Sequence, residues 1–590
     1  MTGSAIRAVV PAEALAHLDN TGRAHLLIEH LHAVAELAAG FASHFDAGAY
    51  AHVAGLWHDF GKYGPEFQNR IRTANGFTAH MEGEPGGDRD HSTAGAIHAQ
   101  DKLGKAGTLI AFAIAGHHAG LANRDDLRQR LLQKRSLYEL ALLHGANAVA
   151  DAPAPTWTAP KLGGEEGRRH LELWTRLLFS ALCDADFLDT EAFFDASKGS
   201  LRSGGPTLAE LEKRLTVYME TKEAAALSSG TEVNRVRAEV RTACHQAATR
   251  LPGVFSLTVP TGGGKTLAGL SFALRHARLH GRRRIIVAIP YTSIIEQTAQ
   301  VYRDALGEES VIEHHSALEP ARATPRNRVA SENWDAPLVV TTTVQLLESL
   351  LANRPGACRK LHNLVGSVII LDEAQALPPG QLAPIIDVLA ELVRSFGVTL
   401  VFSTATQPAF HRPALPQAGG PLGFEHIEEI VPSALQAFPR LRRVRTVWPQ
   451  SPTRLASYEP LADELARERD ALAIVHRRED ARQLCLLLDR RLGDSSTLHL
   501  SALMCPVHRS QLLAEIKARK GSDPAKSYTA GDTVTFNGSL YRVLAAVTAG
   551  VIPPIEVATP ALPGTPRYRL MSRGRTSPEP YDATKPYFQD

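Results

Sequence analysis

At 590 residues, 44% hydrophobic and 21% charged, the chain has the make-up of a soluble globular protein of about three to four domains. No apolar run reaches membrane-spanning length and the opening "MTGSAIRAVVPAEALAH" lacks a signal peptide's basic-then-apolar layout, while five cysteines without a C-x-x-C pair argue against a zinc ribbon or disulfide framework and fit a reducing cytoplasm. With a net charge of only +2, nucleic-acid binding needs a local basic path rather than a global one.

Twelve of the 25 histidines fall in the first 118 residues. The stretch "HLLIEHLHAVAELAAGFASHF" sets Leu27, Leu31, Val34, Leu37, Ala38 and Phe41 on one helical stripe, and His30 lies within it. In "GLWHDFGK", His58 and Asp59 stand beside apolar residues. "TLIAFAIAGHHAGL" reads as an apolar helix running into His117-His118, and "LWTRLLFSALCDADFLDTE" as another ending in Asp184 and Asp186. Any one of these histidines alone reads more simply as a satisfied core or surface residue. Two polar doublets abutting apolar helices are harder to set aside. Burying several imidazoles and carboxylates without partners costs on the order of several kcal/mol, and a metal removes that cost.

The order H…HD-x-GK…H…HH…DAD, carried by "HDFGK", "GHHAGL" and "LLFSALCDADFLDTE", resembles the HD-type nuclease domain of the CRISPR-associated helicase-nuclease of type I systems. The resemblance implies an all-helical domain holding one or two divalent ions. His30, His58, Asp59 and Asp186 would hold one; His91, His117 and His118, with Asp59 bridging, the second. Asp186 rather than Asp184 matches the family position before "FLD". The mixed nitrogen and oxygen set suits Mn, Fe, Co, Ni or Zn rather than Mg or Ca. Two such ions activate water and stabilise both oxygens of an in-line phosphodiester displacement. Lys62 reads either as a phosphate contact or as a surface lysine.

"DASKGSLRSGGPT" is Gly/Ser-rich and reads as a linker, followed by a charged helix "LAELEKRLTVYMETKEAAAL" and an amphipathic one, "NRVRAEVRTACHQAATRL". "FSLTVPTGGGKTLAGLSFALRHA" is then a strand, a glycine-rich turn and a helix, the phosphate-binding layout. Thr261, Gly262, Gly263 and Gly264 would cradle the phosphates, Lys265 reach the β/γ oxygens and Thr266 hold Mg²⁺. Val259 stands where the strict pattern wants glycine, but Pro260 to Thr266 satisfy the PTGxGKT form of superfamily 2 helicases. "SVIILDEAQALP" ends a strand in Asp372 and Glu373, which would hold Mg²⁺ through water and orient the attacking water. "LVFSTATQP" ends in Ser403-Thr404-Ala405-Thr406, the motif coupling nucleotide state to the neighbouring domain. "RRRIIVAIPYTSIIEQ" and "APLVVTTTVQLLESLL" lead to Pro290-Tyr291-Thr292 and Thr341-Thr342-Thr343, loops that in superfamily 2 hold the nucleic-acid backbone. Alternating strands and helices predict a doubly wound parallel sheet with its sites at the strand C-termini.

A second RecA-like domain begins: "DALAIVHRREDARQLCLLLDRRL" and "SSTLHLSALMCPVHRSQLLAEIKARK" each read as strand then helix. The family's later S/T-T-x-x-x-E-A-G-x-D and Q-x-x-G-R-x-x-R blocks do not follow, and "SRGRTS" reads as loop. Residues 521–590 instead alternate apolar and polar, with Asn537-Gly538 between two β runs as a hairpin signal. Their pattern weakly resembles small β modules of carbohydrate-binding and phage tail proteins. Tyr528, Phe536 and Tyr541 read either as a stacking face or as the packing of a small β cap.

The expected fold is therefore multi-domain. An all-α HD domain (1–200) and a linker (201–230) precede an α/β RecA-like domain with a parallel sheet (231–440). A partial second RecA-like domain (441–520) and an unrelated β-rich tail (521–590) complete the chain, as in a truncated and fused protein. The expected function is that of an enzyme: a metal-dependent single-stranded DNA nuclease joined to an ATP- and Mg-binding helicase core. Its expected partners are DNA and the multisubunit RNA-guided CRISPR complex, in the cytoplasm and away from membranes. The competing reading is a non-motor remnant that binds nucleotide and DNA, or nicks single strands, without unwinding. A nucleotide phosphohydrolase is disfavoured by the helicase motifs alongside.

Overall fold

The computed structural model describes residues 14–73, 90–145, 152, 154–156, 164–202, 205–227, 230–316, 324–406, 408, 410, 423–442, 457–468, 471–493, 497–501, 504–521, 533–536, 539–543 and 568–572. It divides into two compact units, residues 1–443 and 444–590. No helix among the described residues is long and apolar enough to cross a membrane.

The first unit opens with a short antiparallel hairpin, β1 (Leu15–Leu18) and β2 (Ala24–Leu26), which the sequence pattern did not signal. Helices come next: α1 (Leu27–Ala42), α2 (Gly48–Trp57), α3 (Pro65–Thr73), α4 (Ser92–Leu103), α5 (Lys105–Ala119), α6 (Arg124–Gln133), α7 (Arg135–Gly145) and α8 (Gly164–Phe194). Helix α1 buries Leu27, Leu31, Val34, Ala35 and Ala38, as its apolar stripe requires. Leu37, placed on that stripe from the sequence, is 36% exposed, because the buried face turns toward Ala35 and Ala42.

Two further helices, α9 (Ala196–Arg202) and α10 (Leu208–Leu227), occupy the Gly/Ser-rich stretch and the charged segment after it. Leu211 and Leu215 of α10 are fully buried, so α10 is a packed layer of the next domain. Beyond α11 (Glu232–Ala247) come β3 (Val254–Thr258), α12 (Lys265–Leu279), β4 (Arg284–Ile289), α13 (Thr292–Leu306), β5 (Ile312–His314), α14 (Pro325–Asn333), β6 (Leu338–Thr342), α15 (Thr343–Leu351), α16 (Pro355–Cys358), β7 (Ser367–Asp372), α17 (Leu382–Ser395), β8 (Thr399–Thr404) and β9 (Glu428–Glu429). The strands form one parallel sheet in the order β5-β6-β4-β7-β8-β3-β9.

Both faces of the sheet are covered. In β4, Ile286 and Ala288 join a core continuous with the helical domain, while Ile285, Val287 and Ile289 join a second core with α10–α13. That two-sided burial explains why the strands read as unbroken apolar runs.

In the second unit, Arg478–Leu492 and Pro506–Gly521 are helical as expected, and Leu484 and Leu488 pack on Ala462. The two strands expected before these helices are absent: residues 471–476 and 497–501 carry no strand, and Leu472 and Ile474 are exposed. A parallel strand exists only when a neighbour supplies its ladder, and none does so here among the described residues. The hairpin signal does give a hairpin, with Thr533–Phe536 antiparallel to Ser539–Val543 and Tyr568–Ser572 added beside it. Tyr528 and all of "SRGRTS" beyond Ser572 lie outside the described residues.

Candidate metal centre and nucleotide site

Every expected metal ligand comes from a helix end or a helix face turned inward. His30 sits in the first turn of α1, His58 and Asp59 just past the C-terminus of α2, and His91 just before α4. His117 and His118 close α5, and Asp186 lies in α8. Two glycines let these segments meet. Gly61 donates its N–H to His91 O at 3.1 Å, and a Cβ there would lie 2.2 Å from that oxygen. A Cβ on Gly95 would lie 1.8 Å from Trp57 O. Any side chain at either position would push α4 away from the His58-Asp59 turn.

Two groups of ligand atoms result, each with all members within 4.8 Å of one another: His30, His58, Asp59 and Asp186, and Asp59, His91, His117 and His118. Asp59 belongs to both. Its Oδ2 lies 3.4 Å from His30 Nε2 and 3.3 Å from His58 Nε2, and its Oδ1 lies 3.3 Å from His91 Nε2 and from His117 Nε2. Asp186 Oδ1 is 3.4 Å from His30 Nε2 and 3.7 Å from His58 Nε2.

The outward nitrogens are fixed. His58 Nδ1 donates to Gly55 O at 2.8 Å, His117 Nδ1 to Ile114 O at 2.6 Å and His30 Nδ1 to Asp189 Oδ2 at 2.6 Å. Each bond turns the Nε2 lone pair toward the centre. The Nε2 atoms of His30, His58 and His117 are buried and make no hydrogen bond among the described residues. Imidazole lone pairs and carboxylate oxygens aimed at one small space, without hydrogen-bond geometry between them, fit a divalent metal well. Burial opposes protonation of His30 and His58, yet Asp186, Asp189 and Asp59 raise His30 to about 10, and Asp59 and Asp186 raise His58 to about 9. Burial likewise opposes the charge on Asp59, but His58, Lys62 and His91 hold it well below the usual carboxylate range.

Lys62 is buried, with Nζ 2.6 Å from Asp59 Oδ2, so the surface-lysine alternative does not hold. Three supports carried no clear sequence signal of their own. Asp189 orients His30; it stands one helical turn after Asp186, the signal that could have found it. Asp90 takes Arg130 Nη2 at 2.9 Å, and Arg130 Nη1 reaches Ala115 O at 2.8 Å, fixing the approach of His91 to α5. His17 and His25 form a third group with His30. Asp184, the carboxylate set aside in favour of Asp186, points the other way and accepts Arg359 Nε at 2.9 Å and Asn333 Nδ2 at 3.0 Å.

The nucleotide residues gather at the C-terminal ends of β3, β7 and β8. Gly262 and Gly264 take positive φ (84° and 87°), and Lys265 begins α12, so the helix N-terminus faces the loop. Lys265 Nζ lies 3.0 Å from Asp372 Oδ1 and 2.7 Å from Glu373 Oε1. Ser403 Oγ donates to Asp372 at 2.9 Å, and Thr404 Oγ1 to Gln375 at 2.5 Å, joining the DEAQ and STAT segments. Glu373 has φ 48°, a left-handed conformation that costs a non-glycine residue about 1–3 kcal/mol and recurs where a side chain must be aimed. Thr261, Gly263 and Thr266 complete the loop, and Arg237 of α11, unread in the sequence, donates to Gly262 O at 2.9 Å. Of the expected strand-holding threonines, Thr341 and Thr342 turn their hydroxyls inward, to His314 O and to the N–H of Gln345.

A helical domain with paired His/Asp clusters, joined to a parallel sheet with a phosphate loop, defines an HD domain coupled to a superfamily 2 helicase core. Residues 27–152 match the HD domain family and residues 241–412 the DEAD/DEAH box helicase family. The CRISPR-associated nuclease/helicase Cas3 of Haloferax volcanii is 28% identical over 454 residues, covering 61% of this chain and 46% of that protein. The crystal structure of T. fusca Cas3-ATP aligns at a TM-score of 0.52 and 18% identity, over 85% of this chain and 67% of that one. T. fusca Cas3 aligns at 0.51 and 17%, over 86% and 66%. The chain is thus similar to Cas3-type CRISPR nuclease/helicases in carrying a match to the HD domain family followed by a match to the DEAD/DEAH box helicase family. It spans about half the length of the curated relative it matches.

Proposed function

We propose that this chain is a metal-dependent nuclease of single-stranded DNA carried on an ATP- and Mg-binding helicase core, acting in type I CRISPR interference beside an RNA-guided complex. The observation that carries this reading is the sharing of Asp59 between two groups of ligand atoms, one of them fully buried. His30, His58, Asp59 and Asp186 would hold one ion, and Asp59, His91, His117 and His118 the other. A bound metal pair supplies an activated water and charge stabilisation at both oxygens of a phosphodiester. The chain's own part is to orient the ligands, exclude bulk water and hold Asp59 ionised through Lys62. In the helicase core, Lys265, Thr266 and Asp372 would bind Mg-ATP, with Glu373 orienting water.

The test is cleavage of single-stranded DNA by the purified chain loaded with Mn, Co or Ni, without ATP. Cutting is expected, and Asp59→Ala should abolish it. Intact DNA with the loaded wild type, or undiminished cutting by the variant, would refute the reading. Lys265→Ala should remove nucleotide binding by calorimetry and leave cutting in place.

A further inference from the structure

A cavity of about 440 Å³ lies between the helical domain and the sheet, on the side away from the nucleotide loop. Its floor is the turn leading into β4, where "GRRR" supplies Gly281, Arg282 and Arg283; the phosphate loop lies beyond the opposite ends of the strands. Its other walls come from His44 and Phe45 past α1, His170 of α8, and the turns at Gly366 and Phe396-Gly397.

The charge on these walls is unbalanced. Arg282 and Arg283 are only part-exposed, and Arg282 Nε and Arg283 Nη1 are buried with no hydrogen-bond partner among the described residues. Arg284 is different: it donates to Trp334 O at 2.7 Å and to Asp335 at 3.1 Å. Nearby carboxylates are engaged elsewhere, Glu391 with His170 and Arg394. Among the described residues Asp46 is the one carboxylate on the lining, and it is exposed. Burial lowers the pKa of Arg282 with no acidic group opposing it, whereas Asp335 partly opposes the same effect at Arg283.

The backbone brings these guanidinium groups to the opening. Gly281, Gly366 and Gly397 have φ of 63°, 63° and 64°, and a Cβ on Gly397 would lie 3.0 Å from Arg282 Nη1. Arg283 N–H is held by Gly366 O at 2.7 Å, and Gly366 N–H by Phe396 O at 2.9 Å, so the three turns form one hydrogen-bonded rim.

Buried guanidinium nitrogens without acceptors are costly, and a tetrahedral oxyanion is the ligand whose acceptors match their fork. We propose that this interdomain cavity, built on Arg282, Arg283 and His44, binds a phosphate-bearing ligand at a site separate from both the metal centre and the nucleotide loop. The volume exceeds that of a single phosphate and falls within the range of small-ligand pockets. A free phosphate or nucleotide and the backbone of a nucleic-acid strand share the chemistry that would be recognised.

The experiment is calorimetric titration of the full chain at low ionic strength, stripped of metal by EDTA and carrying Lys265→Ala to weaken the nucleotide loop. The probes are inorganic phosphate, thymidine 5′-monophosphate and an oligothymidylate lacking terminal phosphates. Phosphate is expected to bind, and Arg282→Gln to weaken it by about tenfold or more, the loss of a charge-assisted contact. His44→Asp is a second variant on an exposed position that leaves the core intact; it should weaken phosphate to a similar extent by repulsion. Displacement of phosphate by the oligonucleotide identifies a strand as the source, and its failure to displace identifies a free anion or nucleotide. Absence of phosphate binding, or binding unchanged by both substitutions with circular dichroism unaltered, would overturn the proposal.

Discussion

Asp59 is the residue on which both ligand groups depend, but the geometry around it is set by residues that stand behind the ligands. Asp189 holds His30 through a 2.6 Å bond to Nδ1. Asp189→Asn keeps the size and loses the charge, freeing His30 to rotate or change tautomer. We expect metal affinity to fall by about 10–100-fold, the usual cost of losing such a support, with the fold intact by circular dichroism. Calorimetric titration with Mn²⁺ checks this; unchanged affinity would show that His30 is held by packing alone. The doublets His58-Asp59 and His117-His118 were legible in the sequence because two polar residues interrupt apolar helices. Asp189 and Arg130 were not, because one charged residue on a helix looks the same whether it meets solvent or a partner 159 or 40 positions away.

At the scale of elements, α8 serves two sites at once. Asp184 and Asp186 are two residues apart, which turns them about 200° from each other around the helix. Asp186 faces the candidate metal centre; Asp184, fully buried, faces Arg359 and Asn333 beyond the helical domain. Asp184→Ala should destabilise the first unit by about 1–3 kcal/mol, because it leaves the buried Arg359 with only its 3.3 Å pair to the part-exposed Glu332. Urea denaturation would measure this, with Mn²⁺ affinity of the folded variant unchanged as the control; a loss below about 1 kcal/mol would mean that Arg359 reaches water. Helix α12 carries a pH dependence. His276 Nδ1 donates to Ala248 O at 3.0 Å and Nε2 accepts from Thr399 Oγ1 at 3.1 Å, and burial, followed by His280, lowers its pKa to about 4. A histidine depressed in the fold takes up its proton first in the unfolded chain. Its contribution is therefore whole above pH 6.5, lost progressively between 6.5 and about 4, and gone below that. The stability difference between wild type and His276→Gln should shrink across that window in thermal melts; a constant difference would rule His276 out. The parallel strands β3, β4, β7 and β8 were legible as apolar runs, whereas residues 471–476 and 497–501 carry the same signal without a ladder partner. Apolar periodicity reports a tendency to be buried and says nothing of whether a neighbouring strand exists.

For the whole molecule, ATP binding and strand unwinding come apart. Lys265, Asp372 and Glu373 converge, with the lysine ammonium within 3.0 Å of both carboxylates, so the residues proposed to bind the nucleotide lie together. Unwinding in two-domain helicases also needs groups from the second domain on the γ-phosphate, and the 590 residues contain no Q-x-x-G-R-x-x-R block. An arginine supplied there is worth about 10³–10⁵ in turnover, more than positioning by the remaining groups recovers. The described parts of the second unit are helices over a small core and a three-stranded antiparallel sheet, a hydrogen-bonding pattern that does not extend a parallel RecA sheet. We therefore expect the purified 590-residue chain to bind ATP and to hydrolyse it near background. A strand-displacement assay on a tailed duplex should show no ATP-dependent product, while metal-dependent cutting of the single-stranded tail proceeds in the same tube. Adding a polypeptide that carries the missing arginine block should restore displacement if a second chain completes the motor. Robust displacement by the 590-residue chain alone would show that the nucleotide site already has its partner groups, and that the second unit supplies them from residues outside the family's motif.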